Sequence, residues 1–113
     1  MGCLFCNVVA RSVPAQIVLE NDHVLAFRDI RPVAPTHVLV IPKKHVTGVH
    51  EAGAGDVELL GQIVLAARTV AEQLGLGTSG YRLVMNQGAD AGQSVFHLHC
   101  HVLGGRSMAW PPG

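Results

Sequence analysis

The sequence predicts an α+β domain: a mainly antiparallel sheet of about five strands, with one long helix packed on one face. Three observations carry this. Five stretches, 17–20, 23–28, 37–41, 81–85 and 95–103, alternate apolar with polar residues or run continuously apolar. One stretch, 56–74, repeats its apolar residues at spacings of three and four. A chain of 113 residues allows one domain, spanning 1–113, and one modest core.

Composition excludes some functions. Eight basic and eight acidic residues give zero formal charge, which argues against nucleic acid or an anionic membrane as partner. Hydrophobic residues make up 49% and charged ones 14%, so some apolar surface is expected to be covered in an oligomer. The longest apolar run, Ile63 to Ala67, is far too short to span a bilayer. Met1-Gly2-Cys3 lacks the basic and apolar regions of a signal peptide. Three cysteines, an odd number, fit a reducing compartment better than a disulfide framework. A cytoplasmic location is the expectation.

Taken in order, Leu4 to Arg11 reads as one or two helical turns. Cys3 and Cys6 admit three readings: a redox pair, half of a zinc site, or packing residues. Ile17–Glu20 and His23–Arg28 read as strands joined by a two-residue turn at Asn21-Asp22, both tolerant of positive φ. Asp29-Ile30 closes the second strand, and Arg31 to Pro35 is a proline-fixed loop. His37 to Ile41 is apolar after its histidine, as a central strand buried on both faces requires. His37 would then need a partner. Lys43 and Lys44 read as surface charge, with phosphate attraction as the alternative.

The helix should run from Asp56 to Leu74, with Val57, Leu60, Val64, Ala67, Ala71 and Leu74 as its stripe. Leu59, Ile63 and Val70 widen that stripe, so contacts with both the sheet and a second subunit are expected. Asp56 and Glu58 suit its N-terminal dipole, and Gly75 and Gly77 its end. Tyr81 to Met85 is a further strand. Asn86 to Ser94 is a polar loop with two glycines, able to approach a ligand, and without a Gly-Lys-Ser/Thr phosphate motif.

That loop runs into Val95-Phe96-His97-Leu98-His99-Cys100-His101-Val102-Leu103. Period two puts Phe96, Leu98, Cys100 and Val102 on one face and the three histidines on the other. Alternate residues on a strand stand about 6.6 Å apart, so three imidazoles do not easily meet on one ion. Two could, with a third ligand from elsewhere. Otherwise each has its own task along a substrate, as neutral imidazoles near pH 7 can be nucleophile or base.

The stretch His97 to Leu103 resembles the histidine-triad motif of the histidine-triad (HIT) nucleotide-binding family. Gly104-Gly105-Arg106 and Trp110 to Gly113 resemble its Hint branch, and the likeness runs from Phe5 to the end. The resemblance implies a twofold dimer and hydrolysis of purine nucleoside phosphoramidates, such as an AMP-amine. It implies His99 as nucleophile, His101 and Ser94 on phosphate and leaving group, and His37 in a proton relay. By the same likeness Phe5, Val8 and Ile30 line a base pocket, Asp29 takes the ribose, and Asn86, Gln93, Ser94 and Val95 surround the phosphate. Some relatives also bind a structural zinc, here through Cys3, Cys6, His45 and His97. No cofactor is required for the chemistry. Ala109 stands where eukaryotic Hint tails often carry histidine. Three other functions remain open: dinucleoside polyphosphate hydrolysis, a zinc hydrolase using His97 and His99, and a nucleotide-binding scaffold. The zinc hydrolase lacks an evident carboxylate base such as His-Glu-x-x-His.

Overall fold

The structure is a computed structural model and describes residues 2–113. Helix α1 (Leu4–Val9) is followed by strands β1 (Ile17–Glu20), β2 (Val24–Arg28) and β3 (Thr36–Pro42). Helix α2 (Val57–Gln73), β4 (Tyr81–Val84) and β5 (Cys100–Gly104) complete the order. The five strands form one sheet, β1-β2-β3-β5-β4, with every neighbouring pair antiparallel. The run after His37 is indeed the central strand, and it is buried from His37 to Pro42.

Period two along β2 and β3 feeds two separate cores. Val24, Ala26, Val38 and Val40 join Cys100, Val102 and α2 residues Ile63, Ala67, Val70 and Ala71 on one face. Leu25, Phe27, Leu39 and Ile41 meet Phe5 and Val8 of α1 on the other. Each fully buried Leu, Ile or Phe stabilises the fold by roughly 1.5–3 kcal/mol. The long helix leaves the second face open apart from α1, and the functional side chains gather there.

Four expectations need correction. The fifth strand starts at Cys100, not Val95. Before it the chain bends, and Leu98 N–H donates to Val46 O (2.6 Å) instead of to a neighbouring strand. The β1–β2 connection uses Asn21, Asp22 and His23 without positive φ, because the Asn21 side chain accepts from both His23 N and Val24 N. Strand β2 ends at Arg28, although Asp29 N–H still donates to His37 O (3.0 Å). On α2 the buried stripe is Ile63, Ala66, Ala67, Val70 and Ala71. Val57 and Val64 sit about 100° round the helix from it and are exposed (69% and 46%).

The C-terminal end of α2 is closed by Gly75 as expected, without a positive φ at Gly77. Gly75 takes a positive φ of 78°, and Leu76 N–H reaches back to Ala71 O (2.8 Å). Lys43 pairs with Glu20 and Lys44 with Asp56, so both lysines are surface charge in ion pairs. Among the described residues, no helix is long and apolar enough to cross a membrane.

Candidate functional site

His97 is fully buried, which a His-rich exposed strand face would not allow. Its Nε2 lies 2.8 Å from the Pro42 carbonyl oxygen. A carbonyl only accepts, so Nε2 carries the hydrogen and Nδ1 presents a lone pair. That lone pair faces Cys3 Sγ (3.2 Å), Cys6 Sγ (3.5 Å) and His45 Nδ1 (3.2 Å), and Cys6 Sγ is 3.3 Å from His45 Nδ1. These four donor atoms lie within 4.8 Å of one another. A tetrahedral zinc with ordinary Zn–S and Zn–N bonds has edges of about 3.3–3.8 Å, so the set fits that ion with small adjustment. Two thiols and two imidazoles are also the right donor chemistry, and Cys6 is already tied to Cys3 by an N–H to Sγ bond of 3.2 Å.

His99 is 7% exposed, and its Nδ1 lies 2.7 Å from the His97 carbonyl oxygen. The same logic fixes Nδ1–H and leaves Nε2 as a free lone pair. The edge of Phe5 packs against this ring at 5.2 Å between centroids and 90°. His97 and His99 therefore do not converge as a ligand pair, since Nδ1 of one is aimed at the thiols and Nδ1 of the other at a carbonyl.

His37 and His101 meet across the β3–β5 pairing. Nδ1 of His37 accepts the Val33 N–H (3.1 Å), so its Nε2 holds the hydrogen. That Nε2 is 2.9 Å from His101 Nδ1 and 3.4 Å from Asp29 Oδ2. His101 is thus an acceptor at Nδ1 and a donor at Nε2. The other oxygen of Asp29 accepts the Arg31 N–H (2.8 Å). Burial pushes the His37 imidazolium below its usual pKa, with Asp29 pulling the other way. His101 is pushed down to about 4 by burial first, then by His99 and His37, again against Asp29. Both rings are neutral at pH 7 in the free protein. Cys100, buried on the helix side, is pushed up to about 11 by burial and is no nucleophile.

Beside the histidines is a cavity of about 360 Å³. Phe5, Val8, Phe27, Leu39 and Val95 form its apolar wall, and Asp29 and Ser94 its polar rim. Ile30, 89% exposed, stands at the lip. Asn86 lines a second cavity with Arg82, Asp90, Leu103 and Arg106. The register pairs Val84 with His101 and Arg82 with Leu103, so β4 carries that cavity on the same sheet face, beyond His101. Gln93 is buried and its carboxamide is spent on backbone: Oε1 takes Gly88 N–H, while Nε2 donates to Thr47 O and Val95 O. It braces the loop that presents Ser94, which the sequence did not reveal. The carbonyls of Pro42 and His97 and the amide of Val33 were equally invisible, because no side chain advertises a backbone partner.

Comparison with known proteins agrees with this geometry. The profile of the HIT domain matches residues 10–108. An uncharacterised HIT-like protein of Synechococcus elongatus is 52% identical over 97% of this chain and 96% of its own length. A solved structure of a HIT family hydrolase from Legionella pneumophila is 50% identical, with a TM-score of 0.96 over 98% of this chain and 99% of that one. A histidine triad nucleotide-binding protein from Candida albicans is 29% identical, with a TM-score of 0.83 over 96% of this chain and 82% of that one. With an antiparallel five-stranded sheet, one long helix and a family match over residues 10–108, the chain belongs to the HIT domain family.

Proposed function

We propose that this protein hydrolyses purine nucleoside phosphoramidates through a nucleotidyl-His99 intermediate, as a Hint-like member of its family. One observation carries the reading: the His99 Nδ1 bond to the His97 carbonyl, which puts the hydrogen of the neutral imidazole on Nδ1 and leaves Nε2 as the lone pair. The base would enter the apolar cavity between Phe5, Val8 and Ile30, and the ribose would reach Asp29. Two acceptor oxygens suit a diol. His99 Nε2 attacks the α-phosphorus, and Ser94 and the Nε2–H of His101 bond the phosphoryl oxygens and the leaving amine. Water then displaces His99. Two in-line steps replace one harder displacement. The relatives support the reaction class: one is described as a hydrolase and another as nucleotide-binding.

Zinc would be held by Cys3, Cys6, His45 and His97, and would supply structural cross-linking, not a reacting group. His97 would then keep its carbonyl fixed under His99. A second copy of the chain is the expected cover for exposed Val57 and Val64 on α2 and Leu83 on edge strand β4.

The test is intact mass after mixing with adenosine phosphoramidate, followed by peptide mapping. A nucleotidyl adduct on His99, absent from His99→Gly, is expected. Turnover by His99→Gly at the wild-type rate would end the reading. Parallel assay of dinucleoside polyphosphates decides the substrate class within the family.

A further inference from the structure

Breaking a P–N bond at His99 requires a proton that neither His99 nor a neutral relay can supply. The His99 Nε2 lone pair forms the new N–P bond. The leaving nitrogen departs with the P–N electron pair and needs one hydrogen to become a neutral amine. His101 can give its Nε2 proton only if its Nδ1 takes one from His37, 2.9 Å away. His37 cannot be resupplied at Nδ1, because that nitrogen faces the Val33 amide hydrogen. Two neutral imidazoles would end as one imidazolate, which is out of reach near pH 7. The reacting cluster must therefore start with one extra proton.

The groups facing this relay are few. His37 meets Asp29 from the β2–β3 loop and His101 from β5, and the His99 ring stands 4.9 Å from the His101 ring. Asp29 is the one anionic side chain among them. We propose that Asp29, beyond taking the ribose, is the counter-ion that lets the His37–His101 pair hold the leaving-group proton. The substrate phosphate adds a second negative charge when it binds. After P–N cleavage the cluster is Asp29 carboxylate with two neutral imidazoles. When water attacks the nucleotidyl-His99, its proton returns to the cluster, so the cycle balances.

This rests on the phosphoramidase reading, and leaving-group chemistry separates the two. An alkylamine needs the proton, whereas p-nitrophenolate leaves without one. Wild type, Asp29→Asn and Asp29→Ser are assayed on an AMP alkylamidate and on the p-nitrophenyl ester of AMP. Asn and Ser can both still accept the Arg31 N–H and hold the turn, so either variant serves if the other fails to fold. The expected result is a kcat loss at least tenfold larger on the amidate than on the ester, with KM rising alike on both. The 2′,3′-dideoxy forms of the two substrates should lose affinity equally, which isolates the ribose contribution. An equal kcat loss on both leaving groups would reduce Asp29 to a ribose ligand and overturn the proposal. If wild type cleaves the ester through His99 but not the amidate, the substrate reading falls and this inference with it.

Discussion

Acidification should destabilise this protein through His101, and the size of the effect can be worked out. The folded-state pKa is about 4, against about 6.5 for a free imidazole. The depressed value means that the unfolded chain binds the proton more readily. Stability from this group is present above pH 6.5 and is lost as pH falls toward 4. Linkage with these two values gives a loss of about 2 kcal/mol between pH 7 and pH 5, and about 3 kcal/mol by pH 4. The ring is half-buried, so these figures are upper bounds. Urea unfolding at pH 7, 6, 5 and 4 provides the assay. His101→Asn keeps an acceptor for His37 Nε2 but has no group titrating in this range. Its unfolding free energy should fall with pH less steeply than wild type by the amounts given. Any metal held by Cys3, Cys6, His45 and His97 would also be released in acid, but the variant leaves those donors intact, so that contribution cancels in the comparison. Identical slopes for variant and wild type would refute the assignment of the buried neutral imidazole.

Further outcomes are expected. His99→Ala should abolish turnover while changing AMP affinity less than about threefold by calorimetry, since the cavity proposed for base and ribose is lined by other residues. The purified protein should carry about one zinc per chain; Cys6→Ser or chelation should lower the melting temperature by more than it lowers kcat, with zinc measured by plasma emission. A metal-free protein of unchanged melting temperature would return both cysteines to packing. Ile63→Ala removes a fully buried side chain between α2 and the sheet and should cost about 2–5 kcal/mol in urea unfolding, with the midpoint moving and the nucleotide site unaltered.

Much of this was legible in the chain. The strand positions followed from period two, and the central place of His37 to Ile41 from its unbroken apolar character. The helix was placed within a residue of its ends, but the centre of its buried side lies about a sixth of a turn from the expected stripe, with Ala67 and Ala71 common to both. Val57 and Val64 are as apolar as Ile63, and spacing alone cannot say which neighbour faces the sheet. The triad motif picked out the histidines but not how each ring is held. Their tautomers follow from the Pro42 and His97 carbonyls and the Val33 amide, which are silent in any sequence. Gln93 shows the same limit. Its polar end suggested a ligand, while the fold uses it as a brace.

The pairing of β3 with β5 has a consequence for how the protein is made. His37 and His101 are 64 residues apart in the chain and become neighbours only when those two strands zip together. Helices and the β1–β2 hairpin can form from local contacts within microseconds, whereas this closure must pay for a long loop first. Before β5 pairs, β2 and β3 can join while β3's other edge stays open. The His37–His101 contact therefore forms only once β5 has paired with β3. Until then the unpaired apolar edge of β3, Val38 to Ile41, is open to pairing with another chain.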